Sequence, residues 1–159
     1  SPVNAGADRM LAAGDAGIPY MAAPGGVDLI DAQAAQDIPV HLVGREFHQH
    51  NRLITCAMMT EDERAISARQ ITTRLAANAA KGSSTTLIVP HGGVDEWDRE
   101  GGDLFDPAGL KALCKTLVET NDPAVELIET DAHINDPAFT DLALEVFDRC
   151  LEEGLVVAK

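Results

Sequence analysis

A chain of 159 residues that is 45% hydrophobic and 24% charged has the size and composition of one globular domain with a sizeable core. Its 26 acidic against 12 basic residues leave a formal net charge of −14. That balance argues against nucleic acid or an anionic membrane as partner, because phosphate backbones are bound by clustered Lys and Arg.

No apolar run approaches the roughly 20 residues that cross a bilayer, and no secretory signal peptide is visible. Cys56, Cys114 and Cys150 are odd in number, far apart and without a CxxC pair, which argues against a zinc site or a disulfide framework and fits a reducing cytoplasm. Only 4% of residues are aromatic, so the core is built mainly from Ala, Leu, Val and Ile. The chain opens on Ser1-Pro2, which reads as a piece of a longer protein.

In chain order, residues 5–16 read as a helix and 18–22 as a short strand. Pro24-Gly25-Gly26 breaks the chain just past that strand, where paired glycines permit a sharp turn or close backbone approach. Residues 27–51 are the least legible. Residues 40–43 read as a strand, and His48 and His50 share a face only if their segment is extended. No third metal ligand accompanies these two histidines, so they read as solvated. A further strand is expected over 53–58.

Thr60-Glu61-Asp62-Glu63 is a capping box opening a helix to about Ala80, with Ala68, Ile71, Leu75 and Ala79 inward and Arg64, Arg69 and Arg74 solvated. Residues 85–89 form a β-branched run suited to a strand buried on both faces. It ends at Pro90-His91-Gly92-Gly93, a second glycine break. Six carboxylates follow within 95–106, namely Asp95, Glu96, Asp98, Glu100, Asp103 and Asp106. Such a loop can bind Mg²⁺ or Ca²⁺, but it lacks the EF-hand spacing, and solvation is the simpler reading.

Asp106-Pro107 caps and starts the next helix, with Leu110, Leu113, Cys114, Leu117 and Val118 at helical spacing. A strand over 124–129 then leads into Asp131-Ala132-His133-Ile134-Asn135-Asp136. Pro137 begins a helix to 153, whose apolar stripe is Phe139, Leu142, Ala143, Val146, Phe147, Cys150 and Leu151. Gly154 ends it, and 155–158 form a tail or last strand. Alternating strands and helices predict an α/β domain spanning 1–159, with a mostly parallel sheet covered by helices on both faces. Right-handed crossovers place the three strand-end loops, 24–26, 90–93 and 131–136, on one sheet edge, where such folds bind ligands.

Several segments occur in a matching order along nearly the whole chain: Gly17-Ile18-Pro19, Pro24-Gly25-Gly26-Val27-Asp28, Gly92-Gly93-Val94, Asp98, Gly101-Gly102, Asp106-Pro107 and Asp131 through Phe139. Together they resemble the C-terminal part of the Tm-one-like ATP-binding proteins, whose plant namesake is an antiviral resistance protein that binds a viral replication protein. The resemblance implies a Rossmann-like domain that follows another α/β domain, so the partners expected are that N-terminal domain and a small-molecule ligand. A homo-oligomer is left open. It also implies ATP with Mg²⁺ as candidate cofactors, although no P-loop is present. Asp95 replaces a frequent serine and Asp31 a typical asparagine, which makes the edge more acidic.

Three functions follow as expectations. The first is a ligand-binding half-domain, with Gly25, Gly26, Asp28, Gly92, Gly93, Asp98, Asn135 and Asp136 in contact with a nucleotide or small phosphate compound and no metal held by the protein alone. The second is a hydrolase or transferase with His133 as general base or acid, oriented by Asp131 or Asp98. The third is a protein-interaction module.

Overall fold

The computed structural model describes residues 6–34 and 36–156. Its elements are α1 (Ala12–Ala16), β1 (Tyr20–Ala22), β2 (Leu29–Gln33), a 3₁₀ turn (Val40–Leu42), β3 (Phe47–His48), β4 (Ile54–Met58), α2 (Glu61–Ala80), β5 (Thr85–Pro90), α3 (Pro107–Glu119), β6 (Glu126–Thr130) and α4 (Pro137–Glu152).

β5 is the centre of the molecule. It is buried along its whole length and lies between β1 and β6 in a three-stranded parallel sheet. The register pairs Tyr20 with Thr85 on one side and Thr86 with Glu126 on the other. Successive side chains of a strand point to opposite faces. Leu87 and Val89 accordingly join Ala68 and Leu75 of α2 and Leu113, Cys114 and Leu117 of α3 in the main core. Ile88 packs on the other face with Phe139 and Val146 of α4. Each such buried aliphatic side chain contributes about 1.5–3 kcal/mol. Helices thus cover both faces of the parallel sheet, as expected.

The expectation of one mostly parallel sheet needs correction. β2, β4 and β3 form a separate antiparallel sheet, with Leu29 opposite Met58 and Phe47 opposite Ala57. Parallel neighbours require a crossover of a dozen or more residues, usually a helix. Only residues 49–53 join β3 to β4, so antiparallel pairing is the arrangement the chain allows. The strand expected over 40–43 is instead the 3₁₀ turn after Pro39, with Leu42 buried while Val40 and Val43 are exposed.

The helix starts follow their sequence signals closely. Thr60 Oγ1 accepts from the Glu63 N–H at 3.3 Å, and a Glu63 carboxylate oxygen accepts from the Thr60 N–H at 2.9 Å, which completes the capping box. Asp106 caps α3 by accepting from the Gly109 N–H. Arg64 departs from expectation: it is 1% exposed, not solvated. The stripe of α4 is only half used, since Phe147 and Leu151 remain exposed. The proposed first helix begins late, at Ala12, and Ala5 lies outside the described residues, as do 157 and 158 of the expected tail. Among the described residues no helix is long and apolar enough to cross a membrane.

Candidate functional site

The three strand-end loops meet on one edge of the parallel sheet, and backbone hydrogen bonds hold them together. The Gly26 N–H donates to the Val94 carbonyl at 3.0 Å, the Gly92 N–H to the Ala132 carbonyl at 3.2 Å and the Ile134 N–H to the Gly93 carbonyl at 3.0 Å. Glycine is required where these chains touch. A Cβ on Gly92 would lie 2.5 Å from the His133 backbone nitrogen, and one on Gly93 2.3 Å from His133 Cδ2. Gly93 also has φ +133°, a conformation that L side chains rarely adopt.

His133 is the pin of this junction, buried with Asp98 beneath it. Its Nδ1 accepts from the Asn135 N–H at 3.0 Å. An accepting nitrogen carries no proton, so the hydrogen sits on Nε2. Nε2–H lies 3.0 Å from Asp98 Oδ1 and 2.7 Å from the Asp95 carbonyl. The other Asp98 oxygen accepts from the Val94 N–H at 2.6 Å. Both ring nitrogens are therefore occupied by the protein itself. Of the two carboxylates expected beside His133, Asp131 or Asp98, it is Asp98 that meets the ring, and the ring points into the loop junction and not into an open cleft.

The remaining candidates divide by exposure. Gly25, Gly26, Gly92, Asp131 and Asn135 are exposed at the edge, whereas Gly93, Asp28 and Asp98 are buried. Asp136 stands at the N-cap position of α4 but makes no side-chain cap. It turns back to accept from the His133 N–H and from both terminal nitrogens of Arg99. That backbone donor, followed by Arg99, holds its carboxyl below the usual aspartate range. The Asn135 amide donates to Glu96 at 3.0 Å.

Asp28 is the least expected feature. It is 1% exposed, and neither carboxylate oxygen has a hydrogen-bond partner among the described residues; the same is true of Asp95 Oδ2 and Arg64 Nη1. Burial, and then the facing charge of Asp95, pushes the Asp28 carboxyl up to about 7. Arg64 is held by the Met59 carbonyl and by Asp106, at 3.2 and 3.0 Å.

Arg64, Glu96 and Arg99 were not anticipated at the site. Lysines at positions 111 and 115, one helical turn apart on α3, were the available signal for a further part. They line a cleft of about 650 Å³ together with His91, Gly92, Phe105 and Glu129, and Gly92 joins that cleft to the strand-end edge. His48 and His50 do share a face, and both rings lie against Trp97, at 4.3 and 5.3 Å between centroids. The acidic loop is not wholly solvated, because Asp98 is buried and Asp95 is half-buried. Among the described residues no group of three or more His, Cys, Asp or Glu comes together that could hold a metal ion. Burial raises the Cys56 thiol to about 12 and the Cys114 thiol to about 11, which leaves neither as an activated nucleophile.

This architecture has relatives. The profile of the C-terminal domain of uncharacterised protein family UPF0261 matches residues 1–151. The chain belongs to this family. A UPF0261 protein from Brucella melitensis is 42% identical over 157 residues, covering 99% of this chain and 37% of its own length. A UPF0261 protein from Clostridium tetani is 35% identical over 138 residues, 86% of this chain and 33% of its own. At greater distance, the ToMV resistance protein Tm-1(GCR237) of Solanum lycopersicum is 27% identical over 132 residues, 82% of this chain and 17% of that protein. The chain thus spans a little over a third of the length of the first of these UPF0261 relatives.

Proposed function

We propose that this UPF0261 domain is a Rossmann-like ligand-binding half-domain that forms one wall of a cleft for a nucleotide or small phosphate compound. A preceding domain of the same protein supplies the opposite wall. The observation that carries this reading is the convergence of the three strand-end loops, pinned by His133 and Asp98, on the edge where parallel α/β sheets bind ligands. A cleft of about 650 Å³ opens beside Gly92, within the size range of small-molecule sites. Its Lys111 and Lys115 favour an anionic group, while Glu129 in its lining and the exposed Asp131 and Glu96 on the strand-end loops favour an anion that arrives with Mg²⁺ over a bare one. The family resemblance makes ATP with Mg²⁺ the first ligand to try, and cytoplasmic residence suits such a ligand. Full occupation of the His133 ring nitrogens weighs against the general-base alternative.

Calorimetric titration with ATP and Mg²⁺ tests the reading, using this chain and a longer UPF0261 polypeptide that contains it. Binding is expected in the longer protein, and Lys111→Ala is expected to weaken it about ten- to hundredfold, through loss of a charge-assisted contact of roughly 1.5–3 kcal/mol. No binding in the longer protein would refute the nucleotide reading. Binding untouched by both Lys111→Ala and Asp131→Ala would place the ligand away from this edge.

A further inference from the structure

Asp28 lies in the loop between β1 and β2, two residues past Gly26, and Asp95 lies one residue past Val94. Gly26 and Val94 are themselves joined by the backbone hydrogen bond between the first and second strand-end loops. The two residues therefore flank a link in the glycine platform, and the Asp95 side chain acts directly on the Asp28 carboxyl. Asp95 is held from its other oxygen: Oδ1 accepts from the backbone N–H groups of Trp97 and Asp98, which leaves Oδ2 without a donor. Asp28 is anchored by its backbone carbonyl, which accepts from the Met59 N–H at 2.8 Å, and both of its side-chain oxygens lack donors among the described residues.

Two ionised carboxylates cannot hydrogen-bond each other, because neither has a hydrogen to give. A single proton between them turns two repelling acceptors into a donor and an acceptor. The other groups facing Asp28 do not replace that proton. Arg64 on α2 lowers the pKa of Asp28 less than burial and Asp95 raise it; its Nη2 is engaged by Asp106, and its Nη1 is bonded to no acceptor among the described residues, Asp28 included. Cys56 on β4 donates to Asp31 on β2. His133 and Asp98 bond each other beyond the Asp95 backbone.

We infer that Asp28 and Asp95 share one proton and form a proton-operated latch between the β1–β2 loop and the loop that follows β5. With the proton in place the pair is bonded and Gly26 stays against Val94. With it lost, two buried negative charges face each other and the link loosens. The inference goes beyond ligand binding and needs no ligand for its test, so it stands or falls separately from the function proposed above.

Carboxyl-carbon NMR of the aspartate-labelled 159-residue chain, titrated from about pH 5 to about pH 8.5, reads the proton directly. One aspartate signal, that of Asp28, is expected to titrate near neutrality. The protection factor of the Gly26 amide should fall through the same range. Asp28→Asn supplies a permanent N–H donor to Asp95, so the neutral titration should vanish and Gly26 protection should become flat with pH. Asp95→Asn keeps Asp28 but removes the facing charge, so the Asp28 midpoint should drop by at least about one unit, a tenfold change in proton affinity. Either variant suffices if the other does not fold. Ordinary midpoints for every aspartate would overturn the inference, and so would a neutral titration that survives Asp28→Asn.

Discussion

Gly93→Ala tests whether the strand-end junction is as closely built as its distances indicate. The new Cβ would lie 2.3 Å from His133 Cδ2 and 2.5 Å from Asp98 Oδ1, whereas carbon atoms rest at about 3.5–4.0 Å. Neither neighbour can retreat freely. The ring is held through both nitrogens by Asn135, Asp95 and Asp98, and Asp98 is held in addition by the Val94 N–H. Overpacking costs about 1–3 kcal/mol. The positive φ adds about 1–2 kcal/mol, and a displaced buried hydrogen bond about 1–3 kcal/mol. The sum is about 3–6 kcal/mol once partial relaxation is allowed, a large share of the ~5–15 kcal/mol that holds a domain folded. Gly26→Ala is the control. Gly26 also has positive φ, at 63°, but no atom lies within 4 Å of its added Cβ, so it should cost about 1 kcal/mol. Urea unfolding followed by Trp97 fluorescence separates the two, with unchanged slopes required for the comparison. Equal midpoint shifts for Gly93→Ala and Gly26→Ala would refute the packed junction.

Glu63 is bonded by Arg45 at 2.5 and 2.9 Å, and this bond first, helped by Thr60, brings its carboxyl down to about 2. A lowered folded-state value stabilises above the ordinary glutamate range, and that stability is lost as pH falls from about 4.5 toward 2. Because the pair is partly exposed, the effect is about 1 kcal/mol; acid unfolding of Arg45→Ala should start at higher pH than wild type, and coincident curves would contradict the assignment. Arg64→Met removes a buried cation that faces Asp28 and pairs with Asp106. It should destabilise by about 3–5 kcal/mol, since Asp106 loses its partner. It should also move the Asp28 midpoint upward in the same NMR titration, and an unchanged midpoint would show that Arg64 exerts no field there.

What was readable from sequence was whatever depends on near neighbours. The capping box at Thr60 and Glu63 involves residues three apart, and it forms as expected. The β-branched run of β5 declares its double burial because no polar residue interrupts Leu87, Ile88 and Val89. Residues 27–51 were opaque because their strands are only two to five residues long and half-exposed, too short for alternation to show. Arg64 looked solvated because its burial depends on Asp106, 42 positions away, and on Gly109, where any Cβ would strike the guanidinium. Likewise, nothing local to Asp28 announces that Asp95 faces it.

The same distinction applies within the site. Sequence placed the three loops on one edge but misjudged the direction of His133, because its orientation is set by Asp98 and the Asp95 carbonyl, 35 and 38 positions away. Chemistry and architecture are consequently divided among neighbours in one motif. His133 and Asp136 are spent on the junction, with the main-chain groups and side chains of Asn135, Asp98 and Arg99 as partners. Asp131, beside Gly92 at the exposed edge, has no part in those junction bonds. Replacing His133 therefore disturbs the platform and any ligand together, and a loss of binding in that variant says little about contact. Asp131→Ala leaves every junction bond described above in place, which makes it the sharper probe of where a ligand sits.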